Sequence, residues 1–138
     1  MLRFSLLALL VTSPALAAPS CPTAVTDAIT KAFPKSKVAS CKAEKEHGHD
    51  QFEVRVTRSD ATKAEVDVAP DGTILEIEEK IALTELPDAV KKAFSTKYPK
   101  AKLERAEKQT AGKDISYEVA FGGKEATFKA DGTFVEEE

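Results

Sequence analysis

The sequence predicts an α+β fold made of two tandem repeats, each a helix followed by an antiparallel sheet. The first observation is an internal repeat, because prolines and apolar residues recur 65 positions apart, as Pro22 and Pro87 do. The second is a change of hydrophobic period, from helical to alternating, within each repeat. The third is an Asp-Gly-Thr turn near the end of each repeat, which is a strong hairpin signal. We place the first repeat at 21–80 and the second at 81–138.

Each repeat begins with an amphipathic helix. Apolar residues in both follow the i, i+3, i+4, i+7, i+8 spacing of one helical face, without the i+7 position in the second. They are Val25, Ala28, Ile29, Ala32 and Phe33 in the first repeat, and Val90, Ala93, Phe94 and Tyr98 in the second. Pro22 and Pro87 suit the first helical turn, where a proline loses no hydrogen bond. Pro34 and Pro99 mark the ends of the two helices.

Four strands are expected after each helix. Apolar and polar residues alternate in the second strand of each repeat, as at 52–56 in the first. A less regular strand precedes it, at 37–45 in one repeat and 102–108 in the other. The offset between the repeats falls from 65 to 60 before the Asp-Gly turns, so we expect a five-residue insertion near 57–63. The apolar run 74–77 is expected to be the strand where the two repeats meet.

The first 18 residues, 1–18, predict a secretory signal peptide. Arg3 is followed by an apolar stretch at 4–11 and by small residues at 15–18, which is the order typical of a cleaved export signal. The stretch is much shorter than the ~20 residues that a membrane span needs, so we expect no membrane span after signal cleavage. A lipid anchor on Cys21 is the alternative. The sequence therefore predicts a periplasmic or secreted protein.

The charge of the chain indicates which classes of partner it can bind. Removal of 1–17 leaves 19 basic and 23 acidic residues, a formal net charge of −4. The basic residues are scattered and form no stripe with aromatic residues. Because phosphate neutralisation supplies most of the affinity for nucleic acid, we expect no nucleic-acid partner. Nothing in the composition selects an oligomeric state.

Cys21 and Cys41 are the two cysteines of the chain, and export would place them where disulfides persist. The offset of 65 aligns them with Leu86 and Ala106, two apolar residues of the second repeat. We therefore expect an inward-facing disulfide that ties the start of the first helix to its sheet. A loop of about 20 residues would make this bridge worth roughly 3 kcal/mol. Two separate buried thiols are the alternative.

His47, His49 and Asp50 form the segment that has metal-ligand chemistry, since imidazole and carboxylate suit zinc, copper or nickel. The repeat places this segment in the turn between the first two strands, where a polar loop containing glycine is also ordinary hairpin chemistry. Both interpretations stay open. We propose no catalytic residues, because no motif pairs a nucleophile with a base, and we expect no cofactor.

Charged side chains alternate with apolar ones along the predicted strands, so many of them share one face of the sheet. As partner-binding residues the pattern indicates Glu53, Arg55, Glu65, Asp67, Glu76 and Glu118. This patch is acidic with mixed charge, and complementary potentials guide the association of proteins. An ordinary solvated surface is the alternative interpretation.

Several short motifs occur in order along the chain, most clearly in the second repeat. They are Leu86-Pro87-Asp88-Ala89-Val90, Tyr98-Pro99-Lys100-Ala101, Tyr117-Glu118-Val119 and Phe128-Lys129-Ala130-Asp131-Gly132-Thr133. This succession resembles the PepSY-like domains, which are grouped with the β-lactamase-inhibitor-like fold of exported bacterial proteins. The resemblance implies a non-catalytic exported protein with a helix packed on an antiparallel sheet in each repeat. It also implies a protein-binding module that inhibits or regulates an extracytoplasmic enzyme such as a peptidase.

Overall fold

The computed structural model describes residues 20–138, which form two helices and eight strands. The first helix and its strands are α1 Thr23–Ala32, β1 Lys37–Glu46, β2 His49–Thr57, β3 Lys63–Val68 and β4 Ile74–Ile81. After a 3-10 turn at Leu83–Glu85 come α2 Asp88–Lys97, β5 Arg105–Ala111, β6 Asp114–Phe121, β7 Lys124–Lys129 and β8 Phe134–Glu137. The predicted α+β class is confirmed. The signal peptide predicted at 1–18 lies outside the described residues.

All eight strands belong to one antiparallel sheet, in which each strand pairs with the next along the chain. β4 and β5 join the two halves, and their pairing runs from Ile77 with Thr110 to Ile81 with Ala106. The halves therefore meet at the predicted strand, through 77–81, so that of the apolar run 74–77 only Ile77 takes part in the pairing. β5 also begins later than expected, since 102–104 precede the strand.

Each helix begins after a proline and ends before one. The carbonyl oxygens of Pro22 and Pro87 accept the first helical hydrogen bonds, while their rings remove an N–H that would have no partner. The helices stop because Pro34 and Pro99 disfavour helical geometry in the residue before them. Within residues 20–138 neither helix has the length and apolar character that crossing a membrane requires.

Both helices pack on the same side of the sheet, which we call the covered face. The core under α1 consists of Val25, Ile29, Val54, Val56, Val66 and Val68. The core under α2 consists of Leu86, Val90, Phe94, Ala106, Val119, Phe121, Ala126 and Phe128. Ile77 packs against the first core and Ile81 against the second. Because these two residues are four apart on β4, both cores lie on one side. We call the opposite side the open face.

Cys21 and Cys41 form the predicted disulfide, with a Cα–Cα distance of 5.6 Å. Both residues pack against the first core, so the bridge joins the segment before α1 to β1. Leu86 and Ala106, at the corresponding positions of the second half, are buried at 3% and 1% exposure. The bridge therefore faces inward, as expected.

The Asp-Gly turns also contact the helices. Gly72 has φ of +91°, and a Cβ on it would lie 2.6 Å from the carbonyl oxygen of Ala24 in α1. Gly132 has φ of +89°, and its Cβ would lie 2.7 Å from the carbonyl oxygen of Ala89 in α2. Glycine is needed at both positions because of the backbone conformation and because of this close approach. Each turn thus fixes its hairpin against the first turn of the helix.

Candidate functional site

The open face is lined by the polar side chains that alternate with core residues along the strands. Neighbouring members face one another across the sheet, since Glu65 pairs with Glu78 and Glu78 with Gln109. Over β4 to β8 the face is concave and bounds a cleft of about 680 Å³. Charged and polar groups dominate the lining, from Glu46 at one end to Glu138 at the other. This cleft is the candidate site.

All six predicted partner-binding residues lie on the open face. Five of them form a contiguous group on β2, β3 and β4, because Glu53 pairs with Asp67, and Asp67 pairs with Glu76. Glu118 lies apart from this group, on β6, and lines the cleft. The sequence pattern therefore places the side chains on a common face, while the register decides which of them are neighbours.

Two arginines neutralise carboxylates on the open face. Arg55 lies on β2, and its guanidinium nitrogens are 3.3 Å from Glu53 Oε1 and 3.0 Å from Glu65 Oε2. Arg105 lies on β5, 3.3 Å from Glu107 Oε1, and it also pairs with a glutamate of β7. Arg55 thus bridges carboxylates of its own and the adjacent strand, whereas Arg105 bridges one on its own strand and one across β6.

Four further carboxylates of this face have no ion-pair partner within residues 20–138. We call them the central carboxylates, and they are Asp67, Glu76, Glu78 and Glu118. Burial raises the pKa of Asp67 to about 6 and the pKa of Glu78 to about 7, and neighbouring carboxylates add to both shifts. Burial also raises the pKa of Glu76 and of Glu118. The free protein therefore holds negative charge here at an electrostatic cost.

Neutral polar side chains lie among the central carboxylates. Gln109 donates from Nε2 to Glu78 Oε1 at 3.4 Å and to Glu118 Oε2 at 3.3 Å, and both distances are long for an N–H···O bond. Thr127 pairs directly with Glu118 and is only 9% exposed, yet its hydroxyl makes no hydrogen bond within the described chain. No fully buried side-chain polar atom in this part of the chain lacks a partner, so the hydroxyl reaches the cleft.

The predicted metal ligands lie at the turn between β1 and β2. His47 is a turn residue with a side chain 87% exposed, and its Nδ1 is 3.7 Å from Glu46 Oε1. Asp50 Oδ1 lies 3.4 Å from the ammonium of Lys45. Within residues 20–138, the side chains of His47, His49 and Asp50 do not bring three donor atoms within 4.8 Å of one another. The turn keeps them adjacent without a converged ligand set.

A different group does converge, and sequence reasoning missed it. Oxygen atoms of Glu44, Glu46 and Asp67 lie within 4.8 Å of one another. The buried side chain of Gln51 donates from Nε2 to Glu44 and to Glu46, at 2.9 Å each. An amide therefore already binds two of the three carboxylates. Alternation along β1 could have placed both glutamates on the open face, but their approach to Asp67 depends on the register of three strands.

The comparisons with known proteins concern the fold. No protein-family model matches the chain, and no curated protein matches it either. A solved structure from Bacteroides eggerthii DSM 20697 is described as that of a periplasmic protein. It is 15% identical to this chain, with a TM-score of 0.72. The match covers 87% of this chain and 89% of that one.

Two more solved structures have the same architecture. A BLIP-like protein from Bacteroides fragilis NCTC 9343 is 20% identical with a TM-score of 0.67, and 87% of each chain is covered. A DUF2874 family protein from Bacteroides ovatus ATCC 8483 is 13% identical with a TM-score of 0.69, covering 88% of this chain and 89% of that one. At these identities the likeness shows the fold alone. The chain therefore has a BLIP-like fold.

Proposed function

We propose that the chain is an exported, non-catalytic protein-binding module that docks an extracytoplasmic protein on its open face. The observation that carries the proposal is the asymmetry of the sheet, since both helices cover one face and the other bounds a cleft of about 680 Å³. Here four half-buried carboxylates make no ion pair within residues 20–138, which favours a binding surface over an ordinary solvated one.

The partner is an extracytoplasmic enzyme such as a peptidase, which the module inhibits or regulates. Support comes from the resemblance to PepSY-like domains and from the fold shared with the BLIP-like protein of Bacteroides fragilis. A fold hosts many functions, so this identification of the partner is an analogy that experiment has to test.

The two halves are tandem PepSY-like repeats, with a boundary between 80 and 81. Structural details that recur at the repeat offset support this. Leu75 and Val135 are each the unpaired residue of a β-bulge, and both are exposed. The two Asp-Gly turns each approach the first turn of the preceding helix. A duplicated unit explains why such irregular features occur twice.

Export is directed by residues 1–18 as a signal peptide, so the protein is periplasmic or secreted. The Cys21–Cys41 bridge supports this location, because disulfides persist in oxidising compartments and are rare in the cytosol.

Capture from an extracytoplasmic extract of the producing organism tests the docking surface. Ser116 lines the cleft, whereas Ser95 is exposed on α2, so Ser116→Tyr and Ser95→Tyr add the same bulk to opposite sides. We expect wild type and Ser95→Tyr to retain a common protein, and Ser116→Tyr to lose it by tenfold or more, on the order of an interface hot spot. Equal retention by both folded variants, or no retained protein at all, contradicts the proposal.

A metal-binding or small-ligand protein is the second candidate function, with His47, His49 and Asp50 as ligands. The observation that favours it is the exposure of His47 beside the carboxylate of Glu46. Calorimetry with zinc, copper and nickel tests it against the double variant His47→Ala with His49→Ala. We expect the variant to lose measurable binding. An unchanged affinity removes this candidate.

A further inference from the structure

We infer that the docked protein presents a lysine or arginine on an exposed segment, and that this cationic side chain enters the cleft between Glu78 and Glu118. The inference rests on the proposed function, because it names the chemistry of the partner that the open face receives. The occupant is thus a basic protein segment.

The first argument is the geometry of the gap. Glu78 Oε1 and Glu118 Oε2 both contact Nε2 of Gln109, so the two oxygens lie within about 7 Å of each other. Their bonds to this neutral amide are long and correspondingly weak. A lysine ammonium or arginine guanidinium carries several donors and forms shorter, charge-assisted bonds with carboxylates. A cationic side chain that takes the place of the Gln109 amide would therefore bind these glutamates more strongly than the amide does.

The second argument is the distribution of positive charge. Arg55 and Arg105 each bind two carboxylates of the open face, and neither pairs with a central carboxylate. The arginines of this face thus serve the flanks of the cleft and leave its centre negative. Charge complementarity between surfaces selects a partner of the opposite sign. Lys129 also lines the cleft, and Lys63 and Lys80 lie in the groove beside Glu78. Within residues 20–138 none of these lysines forms an ion pair with a central carboxylate, so these carboxylates are free to pair with a cation of the partner.

The third argument is independent of the carboxylates. Thr127 stands opposite Glu118, is 9% exposed, and directs into the cleft a hydroxyl that makes no hydrogen bond within residues 20–138. Because this hydroxyl is open to the cleft and has no partner in the described chain, it is available to hydrogen-bond a ligand with polar atoms. A cationic donor bound by Glu118 would lie within reach of an acceptor such as this oxygen.

The titration of Glu78 supports the same conclusion. Its carboxyl faces Glu76 on its own strand, Glu65 on β3, Glu107 on β5 and Glu118 on β6. Burial and these charges raise the pKa of Glu78 to about 7. A cation binds the deprotonated form, so affinity should fall as pH decreases through 7.

Peptide binding tests the inference directly. The probe is acetyl-Lys-Thr-Lys-Thr-Lys-amide, compared with the same peptide carrying glutamine in place of lysine, by calorimetry at low ionic strength and pH 8. Glu78→Gln with Glu118→Gln removes two charges from the cleft. Asp27→Asn with Asp88→Asn removes two from the exposed surfaces of the helices and is the matched control.

We expect the lysine peptide to bind wild type and the helix variant alike, and to bind the cleft variant about tenfold more weakly. This difference should become smaller at pH 5, where Glu78 is protonated and no longer contributes a charge. Equal binding of the lysine and glutamine peptides, or equal binding to both folded variants, overturns the inference. If calcium chloride alone binds at the central carboxylates and the lysine peptide does not, the cleft is a cation site and the inference is also wrong.

The result can be separated from the test of the proposed function. Suppose that Ser116→Tyr abolishes capture of a partner, while Glu78→Gln with Glu118→Gln leaves capture unchanged. Docking on the open face would then stand, and the cationic contact would be rejected. Suppose instead that the lysine peptide binds as expected but Ser116→Tyr captures the same protein as wild type. The contact chemistry would stand, and the docking proposal would fail.

Discussion

The first half of the chain, α1 to β4, and the second half, α2 to β8, build the same helix-on-sheet arrangement from different side chains. The core of the first half is aliphatic and mainly valine, and a disulfide lies at its margin. The core of the second half holds three phenylalanines, and the rings of Phe94, Tyr98 and Phe121 pack in tilted and edge-to-face arrangements with centroid distances of 4.4 to 5.4 Å. The comparison indicates that aromatic packing in one half and a disulfide in the other can stabilise the same helix-on-sheet arrangement.

The aromatic residue that follows each helix is also held by a different contact in each half. Phe33 follows α1 and is covered by the guanidinium of Arg58, 5.2 Å from its ring centroid, in the longer β2–β3 connection. Tyr98 follows α2, and its hydroxyl donates to Glu137 of β8 instead. The β2–β3 connection spans 58–62, whereas β6 and β7 are joined by two residues. The longer loop thus supplies a contact that the second half makes from its last strand.

The largest effect is expected from removing the main aromatic residue of the second half. Phe128 is 1% exposed, so Phe128→Ala should lower the free energy of unfolding by about 3–5 kcal/mol through lost burial and a residual cavity. Urea denaturation measures it. Phe134→Ala is the control, because Phe134 contacts Phe128 but is 39% exposed, and it should cost much less. Equal losses for both variants would mean that the second half does not depend on its buried aromatic core.

A somewhat smaller effect is expected from opening the bridge of the first half. Cys21→Ala with Cys41→Ala should lower the free energy of unfolding by about 3 kcal/mol, from the loop entropy of the unfolded chain. Reductant should destabilise wild type and leave the variant unchanged. Cys21→Leu with Cys41→Ala copies Leu86 and Ala106 of the second half, and should recover part of the loss. If stability is not recovered, the residues at positions 21 and 41 cannot be replaced by those that the second half has at the corresponding positions.

The glycines of the Asp-Gly turns are expected to contribute equally to stability in the two halves. Gly72→Ala and Gly132→Ala should each lower the free energy of unfolding by about 2 kcal/mol, from strain at positive φ and the clash with a helix carbonyl. Gly48→Ala meets no atom within 4 Å and tests the strain at positive φ alone, so it should cost less. Thermal denaturation of the three variants separates the two terms. A loss in one half only would contradict the shared role of these turns.

The smallest effect concerns the open face, to which both halves contribute carboxylates. In the folded protein the pKa of Glu78 is raised to about 7, so the folded state binds more protons than the unfolded state between about pH 4.5 and 7. This contribution lowers stability as pH rises through that window. Glu78→Gln should therefore show a shallower fall in melting temperature from pH 5 to 8 than wild type. A steeper fall would contradict the assigned cause of the shift.

The sequence by itself determined the local features of this protein, because they follow from short-range patterns. Helical and alternating periods located the helices and most strands, and alternation placed Glu53, Arg55 and Glu65 on one face. The cysteine positions, read against the repeat, indicated an inward bridge. The insertion near 57–63 appeared as the longer β2–β3 connection. The apolar run on β4 was expected to have a core role throughout, but Leu75 is an exposed bulge residue and not part of the core.

Only the tertiary structure decided which charges meet. Glu78 lies next to Glu65, Gln109 and Glu118 because of the pairing of four strands, and a shift of one residue in β3, β5 or β6 would turn its neighbour on that strand to the other face. Whether a carboxylate has a cation beside it depends on that same register. The period of a strand sets the side on which a residue lies, whereas its neighbours on other strands, and hence the charge of the cleft, are properties of the assembled sheet.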